Sequence, residues 1–354
     1  MIVYLINMLL IGIWKLVFPQ RSNRNKKIYI TIVSIQFILI AGLRSLEIGS
    51  DTQRYAQSLS KANSMSFQEL FHRAVVLMQT MNSEYRNTYF LIISKIVGFL
   101  FGYSYRIFLF VVAAVFMIAL GKFFYSKSSD LCISYLLFAV IYFEFCLNAT
   151  KQMLAIAAVS LIGYKYIEER KFWKFLLIQG IGLLFHASSI VFLPFYFLFD
   201  KGEKKYFHAL MIAGGGFTVV FSKYIVRLFT SYGPYALYQN DTGGGAKSLM
   251  VFVGITIIIG IMFFLRKYTE NRTYVISLTA IEIAMIFLLF GLRLSILTRL
   301  AYYYLPFLFV FVPEGVKVVK RNQQLGARAI IFLALMLMFI LRADRHQYLF
   351  FWQG

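Results

Sequence analysis

The sequence predicts an all-α integral membrane protein, a polytopic bundle of about twelve transmembrane helices with one short re-entrant or interfacial helix on the outer side. Two observations carry this reading. Of the 354 residues, 60% are hydrophobic and only 14% charged, more apolar surface than a soluble chain of this length can hide. Basic residues also concentrate in alternate connectors: about 20 of the 36 Lys and Arg fall in the short connectors placed inside, against about 15 in the much longer outer segments. The formal net charge of +21 would point to nucleic acid in a soluble chain. Here it marks cytoplasmic loops and contacts with anionic lipid heads, so membrane lipids are expected as partners and nucleic acid is not.

The first apolar run, MIVYLINMLLIGIWKLVF, has neither a basic leader nor a small-residue cleavage site and reads as a retained span. Runs near spanning length follow at 28–43, 104–121, 131–147, 149–165, 206–226, 248–265, 274–292, 299–316 and 328–342. Region 172–200 is too long for one crossing, about 43 Å as a straight helix. Both its flanks, KYIEERKFWK and KGEKK, are basic, so it must cross twice as a tight hairpin turning near His186. The four basic residues of QRSNRNKK place the first connector in the cytoplasm and both chain ends outside. The stretch YFLIISKIVGFLFG, residues 89–102, is apolar but short and contains Lys95; it reads as the re-entrant or interfacial outer helix. Residues 1–354 form a single membrane domain, with an outer segment at about 44–103 and a second outer loop at about 227–247. Cys132 and Cys146 lack CxxC spacing, which leaves disulfide and metal readings weak.

This orientation collects polar residues from separate parts of the chain at the outer lipid–water boundary. GLRSLEIGSDTQRYA supplies Arg44, Asp51, Arg54 and Tyr55; CLNATKQMLAIAAV supplies Asn148, Lys151 and Gln152. LLFHASSIVFLP supplies His186, and GLRLSILTRLAYYYLP supplies Arg293, Arg299 and Tyr302. Each has a plainer alternative. Ser50 and Gln53 have the spacing of a capping box, so that element starts a helix whether or not it binds anything. Arg44 and Arg299 can snorkel to lipid phosphates, and His186 can hydrogen-bond locally. Glu144 is a candidate partner for Lys151, Glu282 has no assigned partner, and His208, next to KKY, reads as an ordinary inner-surface residue. The GGG at 243–245 follows no strand and is a loop, not a phosphate cradle.

GLRSLEIGSDTQRYAQ resembles the first outer loop of the Wzy-type polysaccharide polymerases, in their EpsG-like branch. NATKQMLAIAAVSLIGYKYIEERKFWKFLLIQGIGLLFHASSIVFLPFYFL is similar to the central block of that family, and TRLAYYYLP to its late Arg–aromatic–Pro element. The match is collinear over about residues 40–310. One departure is Lys151, where the family often has Arg; the charge is kept and the bidentate fork is lost.

The resemblance implies a glycosyltransferase that polymerises polyprenyl-pyrophosphate-linked oligosaccharide repeat units into capsular, O-antigen or exopolysaccharide at the outer face of the bacterial plasma membrane. A leaving pyrophosphate needs cations at that depth, and Arg44, Lys151, Arg293 and Arg299, with Asn148, Gln152, Arg54, Tyr55 and Tyr302, are the candidates. The acceptor hydroxyl needs a base; His186 is preferred and Asp51 is the alternative. Tyr55 and Tyr302 are candidates for stacking on sugar rings. No cofactor and no metal site is expected, although metal dependence stays open: Glu47, Asp51, Glu69 and Glu84 punctuate the first outer segment without forming a D-x-D pair. A chain-length regulator and a flippase are candidate partners. The rival readings are a transporter that flips the same lipid-linked sugar and an O-antigen-ligase-like transferase.

Overall fold

A computed structural model describes residues 1–80, 87–231, 246–266, 271–342 and 347–353. Glu84, the GGG stretch and most of the 227–247 loop lie outside them. Among the described residues the secondary structure is helical; the one β-type pairing is an isolated antiparallel bridge between Arg44 and Phe350. Seven helices among the described residues are long and apolar enough to cross a membrane, or eight if the bent pair Ser295–Ala301 and Leu305–Val318 counts as one span. That makes a multi-pass membrane protein. The expected count of about twelve also needs shorter apolar helices, Ile2–Val17 and the two legs of the His186 hairpin among them. The chain is organised as two compact units.

The first unit takes in residues 1–123, 143–190 and the segment 347–353. It opens with α1 (Ile2–Val17) and α2 (Asn23–Gly42), which run against each other. Ser22 caps α2, its hydroxyl accepting from the Asn25 N–H at 3.1 Å. Polar side chains tie the two helices together: the Tyr29 hydroxyl donates to the Ile11 carbonyl at 3.1 Å, and Gln36 bonds Asn7 and Trp14. Three helices follow: α3 (Thr52–Ser64), α4 (Phe67–Thr80) and α5 (Thr88–Phe101). Helix α5 is the expected short apolar element, 14 residues long. It packs on α3 and α4 around Ala62, Met65, Leu70 and Leu91. Lys95 turns back from it to donate to the Asn63 carbonyl at 3.0 Å. Gly102, at φ +96°, ends it and leads into α6 (Tyr105–Lys127).

Helix α7 (Leu131–Asn148) has residues in both units, its last part, 143–148, in the first. After it come α8 (Thr150–Ile156), a π-helical stretch at Ala157–Ile162, α9 (Tyr164–Glu168) and α10 (Phe172–Phe185). The chain then folds back: the Gln179 amide donates to the Ser189 hydroxyl at 3.3 Å, across ten residues that would span about 15 Å in a continuing helix. The expected turn near His186 is therefore present, with a short 3-10 return leg starting at Ala187.

The second unit takes in 124–142 and 191–342. It holds α11 (Phe195–Leu198), α12 (Lys205–Ser231), α13 (Lys247–Leu265), α14 (Arg272–Gly291), α15 (Thr298–Ala301), α16 (Leu308–Val318) and α17 (Gln324–Leu341). Helix α14 is the hub, packed against α12, α13, α15 and α16. Irregular backbone here is compensated by side chains. Pro313 inside α16 has no N–H for the Phe309 carbonyl, and the Ser134 hydroxyl donates to that oxygen at 2.7 Å. A π-helical turn at Phe138–Tyr142 disturbs α7, and Arg342 donates to the Val140 and Ile141 carbonyls at 3.3 and 3.4 Å.

One expectation about charged residues in this unit is corrected. His208 is 3% exposed, not an inner-surface residue: Nδ1 lies 2.8 Å from Glu282 Oε1, and Nε2 lies 2.8 Å from the Gly202 carbonyl. His208 is also the partner that Glu282 lacked in the sequence. A carboxylate at that depth is tolerable only when paired, and the fold meets that need from α12.

Candidate functional site

The first unit's site begins where α2 ends. Leu43 caps the helix, and the next residues run antiparallel to the segment 347–353. The Ser45 N–H donates to the Leu349 carbonyl at 2.8 Å, and the Phe351 N–H donates to the Leu43 carbonyl at 3.0 Å. This pairing holds Arg44 inside the protein, 5% exposed. The snorkelling alternative for Arg44 is thereby corrected, because its guanidinium turns inward. Nη1 donates to the Ala41 carbonyl at 3.0 Å; Nε and Nη2 are buried with no hydrogen-bond partner. Burial lowers the Arg44 pKa from its ordinary value, yet guanidinium starts so high that it keeps its proton. A buried cation with two unsatisfied donors is expensive, about 1–3 kcal/mol for each orphaned group.

Arg44 lines a cavity of about 470 Å³, in the size range of small-ligand sites. Gln53, Ser104, Tyr105, Arg106 and Phe351 line it beside Arg44, with Glu47 at an exposed position. The Tyr105 hydroxyl is buried beside Arg44 and Thr52 without reaching hydrogen-bond geometry with either. Among the described residues no carboxylate pairs with Arg44 or Arg106. Such an arrangement suits an oxyanion, which would accept from the orphaned N–H groups.

A second cluster lies around the start of α3. Gly49, at φ +100°, sits against the Leu147 carbonyl, where a Cβ would collide. The Ser50 N–H next to it donates to Asn148 Oδ1 at 2.8 Å, and the Asn148 amide donates to the Glu144 carbonyl at 2.9 Å. So Asn148 ties the 44–51 loop to α7. The predicted capping box does not form: α3 starts at Thr52 with Asp51 as its N-cap residue and no side-chain cap bond. Asp51 instead lies 3.8 Å from Arg54 and close enough to Lys151 to act on its charge.

The expected Glu144 partner for Lys151 is also corrected. Lys151 Nζ donates to Asn87 Oδ1 at 2.7 Å and lies over the Phe90 and Tyr55 rings at 4.6 and 5.6 Å. Gln152 is buried one position further along α8. Tyr55 is 7% exposed and packs on Phe90, so its ring is not presented for stacking on a sugar.

His186 closes α10 in extended backbone at the hairpin turn. Its Nδ1 accepts from the Ser188 N–H at 3.3 Å and lies 2.6 Å from the Ser188 hydroxyl. A lone pair on Nδ1 puts the proton of the neutral ring on Nε2. Helices α8 and α10 pack together, and Gly163 faces Ile178 as Gly182 faces Val159. That antiparallel register brings His186 level with Ala155, about 6 Å along the helix from Lys151.

Arg293, Arg299 and Tyr302 belong to the second unit. Arg293 is exposed and Arg299 half-buried, in the turn and short helix that follow α14. Tyr302 is 7% exposed; its ring packs on Tyr142 at 5.1 Å and its carbonyl accepts from the Tyr142 hydroxyl at 2.8 Å. The sugar-stacking expectation for Tyr302 is corrected for the same reason as for Tyr55. Cys132 and Cys146 are free, buried thiols, and among the described residues no three His, Cys, Asp or Glu gather as a metal site.

Sequence reasoning missed Tyr105, Arg106 and Phe351. Arg106 sits on the first turn of an apolar helix, where an Arg is unremarkable, and Phe351 is distant in sequence from Leu43 and Arg106. Among known families, the model of the EpsG family matches residues 27–352. No solved structure matches the chain.

Proposed function

Because the chain belongs to the EpsG family of polysaccharide-biosynthesis membrane proteins, we propose that it polymerises lipid-linked oligosaccharide repeat units, with the Arg44 cavity holding the pyrophosphate that leaves. The observation that carries this reading is a buried guanidinium, two of its N–H groups without a partner, on a residue that lines a cavity. An oxyanion with several acceptor oxygens answers both donors at once.

In the proposed reaction an acceptor sugar hydroxyl attacks the anomeric carbon of a chain carried on polyprenyl pyrophosphate. The new C–O bond forms as the C–O bond to the pyrophosphate breaks, the hydroxyl proton passes to a base, and the lipid pyrophosphate departs. Charge grows on the departing oxygen, and Arg44 stabilises it. The Ser188 contacts at Nδ1 fit His186 for donating from Nε2 to a substrate oxygen. The base role then passes to Asp51, the other candidate from the sequence. Arg293 and Arg299 keep the substrate-contact role that the family resemblance implies.

The cellular side follows from the charge bias of the connectors: the 44–56 loop and the His186 turn face outward from a bacterial plasma membrane. The shorter apolar helices complete about twelve crossings, with α5 lying at the interface. The reaction is proposed to need no cofactor and no metal.

The test is reconstitution in liposomes with lipid-linked repeat units offered on the outer face. Lengthened product from the wild type, lost in Arg44→Ala, His186→Ala and Arg299→Ala variants that still insert, supports the reading. Unchanged substrate length points to a transporter, and polymer of normal length from all three variants rejects the site.

A further inference from the structure

We infer that the segment 347–353 is a working wall of the anion site: its Phe351 holds Arg106 as a second cationic arm opposite Arg44, at the N-terminus of α6. The inference rests on the reading above in one respect, that the anion is a diphosphate. The site itself stands on geometry.

Three independent features converge on the one cavity. The first is Arg44, nine-tenths buried or more, with Nε and Nη2 unpartnered. The second is the start of α6, a helix of 23 residues whose Ser104, Tyr105 and Arg106 all line the cavity. The first N–H groups of a helix have no intrahelical acceptor and carry the positive end of its dipole. A helix start beside an orphaned guanidinium is therefore a cradle for an oxyanion with donors on two sides.

The third feature is the position of Arg106. Its guanidinium carbon lies 3.3 Å from the centroid of the Phe351 ring, and no described carboxylate competes for it. A guanidinium held over a ring face is oriented by it and keeps N–H donors for another ligand. Phe351 is in turn fixed by its N–H donating to the Leu43 carbonyl, and its segment by the Ser45 N–H donating to the Leu349 carbonyl and the Tyr348 hydroxyl donating to the Ile40 carbonyl at 2.6 Å. The same short bridge thus sets the positions of both guanidinium groups. With two arms and a helix start, the cavity suits a ligand with two linked phosphate groups better than one with a single phosphate. Phe351 is a positioning residue: it acts through Arg106.

The experiment uses the full chain purified in a maltoside detergent and phosphate-free buffer, with inorganic pyrophosphate and inorganic phosphate as probes in calorimetric titration. The expected results are binding of pyrophosphate at least tenfold tighter than phosphate and a tenfold or greater loss in Arg106→Gln. Phe351→Ala should lose affinity severalfold, and Phe351→Trp, which restores a stacking face, should recover it. Arg106→Gln leaves the 347–353 pairing intact, so its loss of binding does not depend on how Phe351→Ala folds. Wild-type affinity in both Arg106→Gln and Phe351→Ala, or no pyrophosphate binding by the wild type, overturns the inference. Binding that follows this pattern in a protein that fails to lengthen lipid-linked repeat units overturns the polymerase reading and leaves the anion site standing.

Discussion

Replacing Arg44 by methionine should make the empty protein more stable while removing its anion site. Met is similar in length to the Arg stem, so the apolar contacts of the stem are largely kept. What disappears is a buried cation with two orphaned donors, Nε and Nη2, and one satisfied bond to the Ala41 carbonyl. At about 2 kcal/mol per orphaned group, the two donors burden the native state by roughly 4 kcal/mol. Losing the Ala41 bond and leaving its carbonyl unsatisfied costs roughly 2 kcal/mol. The difference favours Arg44→Met by about 2 kcal/mol, before any relief from desolvating the charge is added. Pyrophosphate at a hundred times its dissociation constant adds about 2.7 kcal/mol to the wild type and nothing to the variant. The order of stability should therefore cross. Thermal unfolding in maltoside and phosphate-free buffer, followed by intrinsic fluorescence, should put Arg44→Met above wild type by a few degrees. Saturating pyrophosphate should bring the wild type level with it or higher. A variant less stable than the wild type without anion, or a wild type that pyrophosphate leaves unmoved, would show that the Arg44 donors are not waiting for a ligand.

Lys151→Arg should keep polymer formation, because a guanidinium can bond Asn87 and stack over Phe90 and Tyr55 as the ammonium does; Arg299→Lys should retain less, and glycan ladders on a gel compare the two. Glu47→Gln should tighten pyrophosphate binding severalfold in calorimetric titration, since among the described residues it removes the one carboxylate lining a cavity that Arg44 and Arg106 also line. Glu282→Ala should destabilise the protein by about 1–3 kcal/mol, because it leaves a buried His208 ring nitrogen without its hydrogen-bond partner, whereas Glu282→Gln, which can still hydrogen-bond, should lose less; both are read from thermal unfolding.

Some of this was legible residue by residue. The apolar runs made helices because a chain with so few charges has no other way to satisfy its backbone in lipid. The short run at 89–102 stayed short as α5, and the turn at His186 followed from basic flanks on both sides of one long run. Arg44, Asp51, Asn148 and Lys151 stood out because charged and amide groups beside apolar runs need a reason to be there. Local spacing misled where a long-range partner outbid a local one: Ser50 has its N–H taken by Asn148 instead of capping α3, and Tyr55 and Tyr302 serve packing.

The sequence alone thus determined an all-helical membrane protein and its EpsG-family character, because hydrophobic run length and collinear motifs are properties of neighbours along the chain. Only the tertiary structure decided that Arg44 points inward, that His208 answers Glu282, and that residues 347–353 close the cavity around Arg106. Each of these depends on pairing between positions far apart in the chain, where a buried polar group takes whichever partner the fold brings within reach.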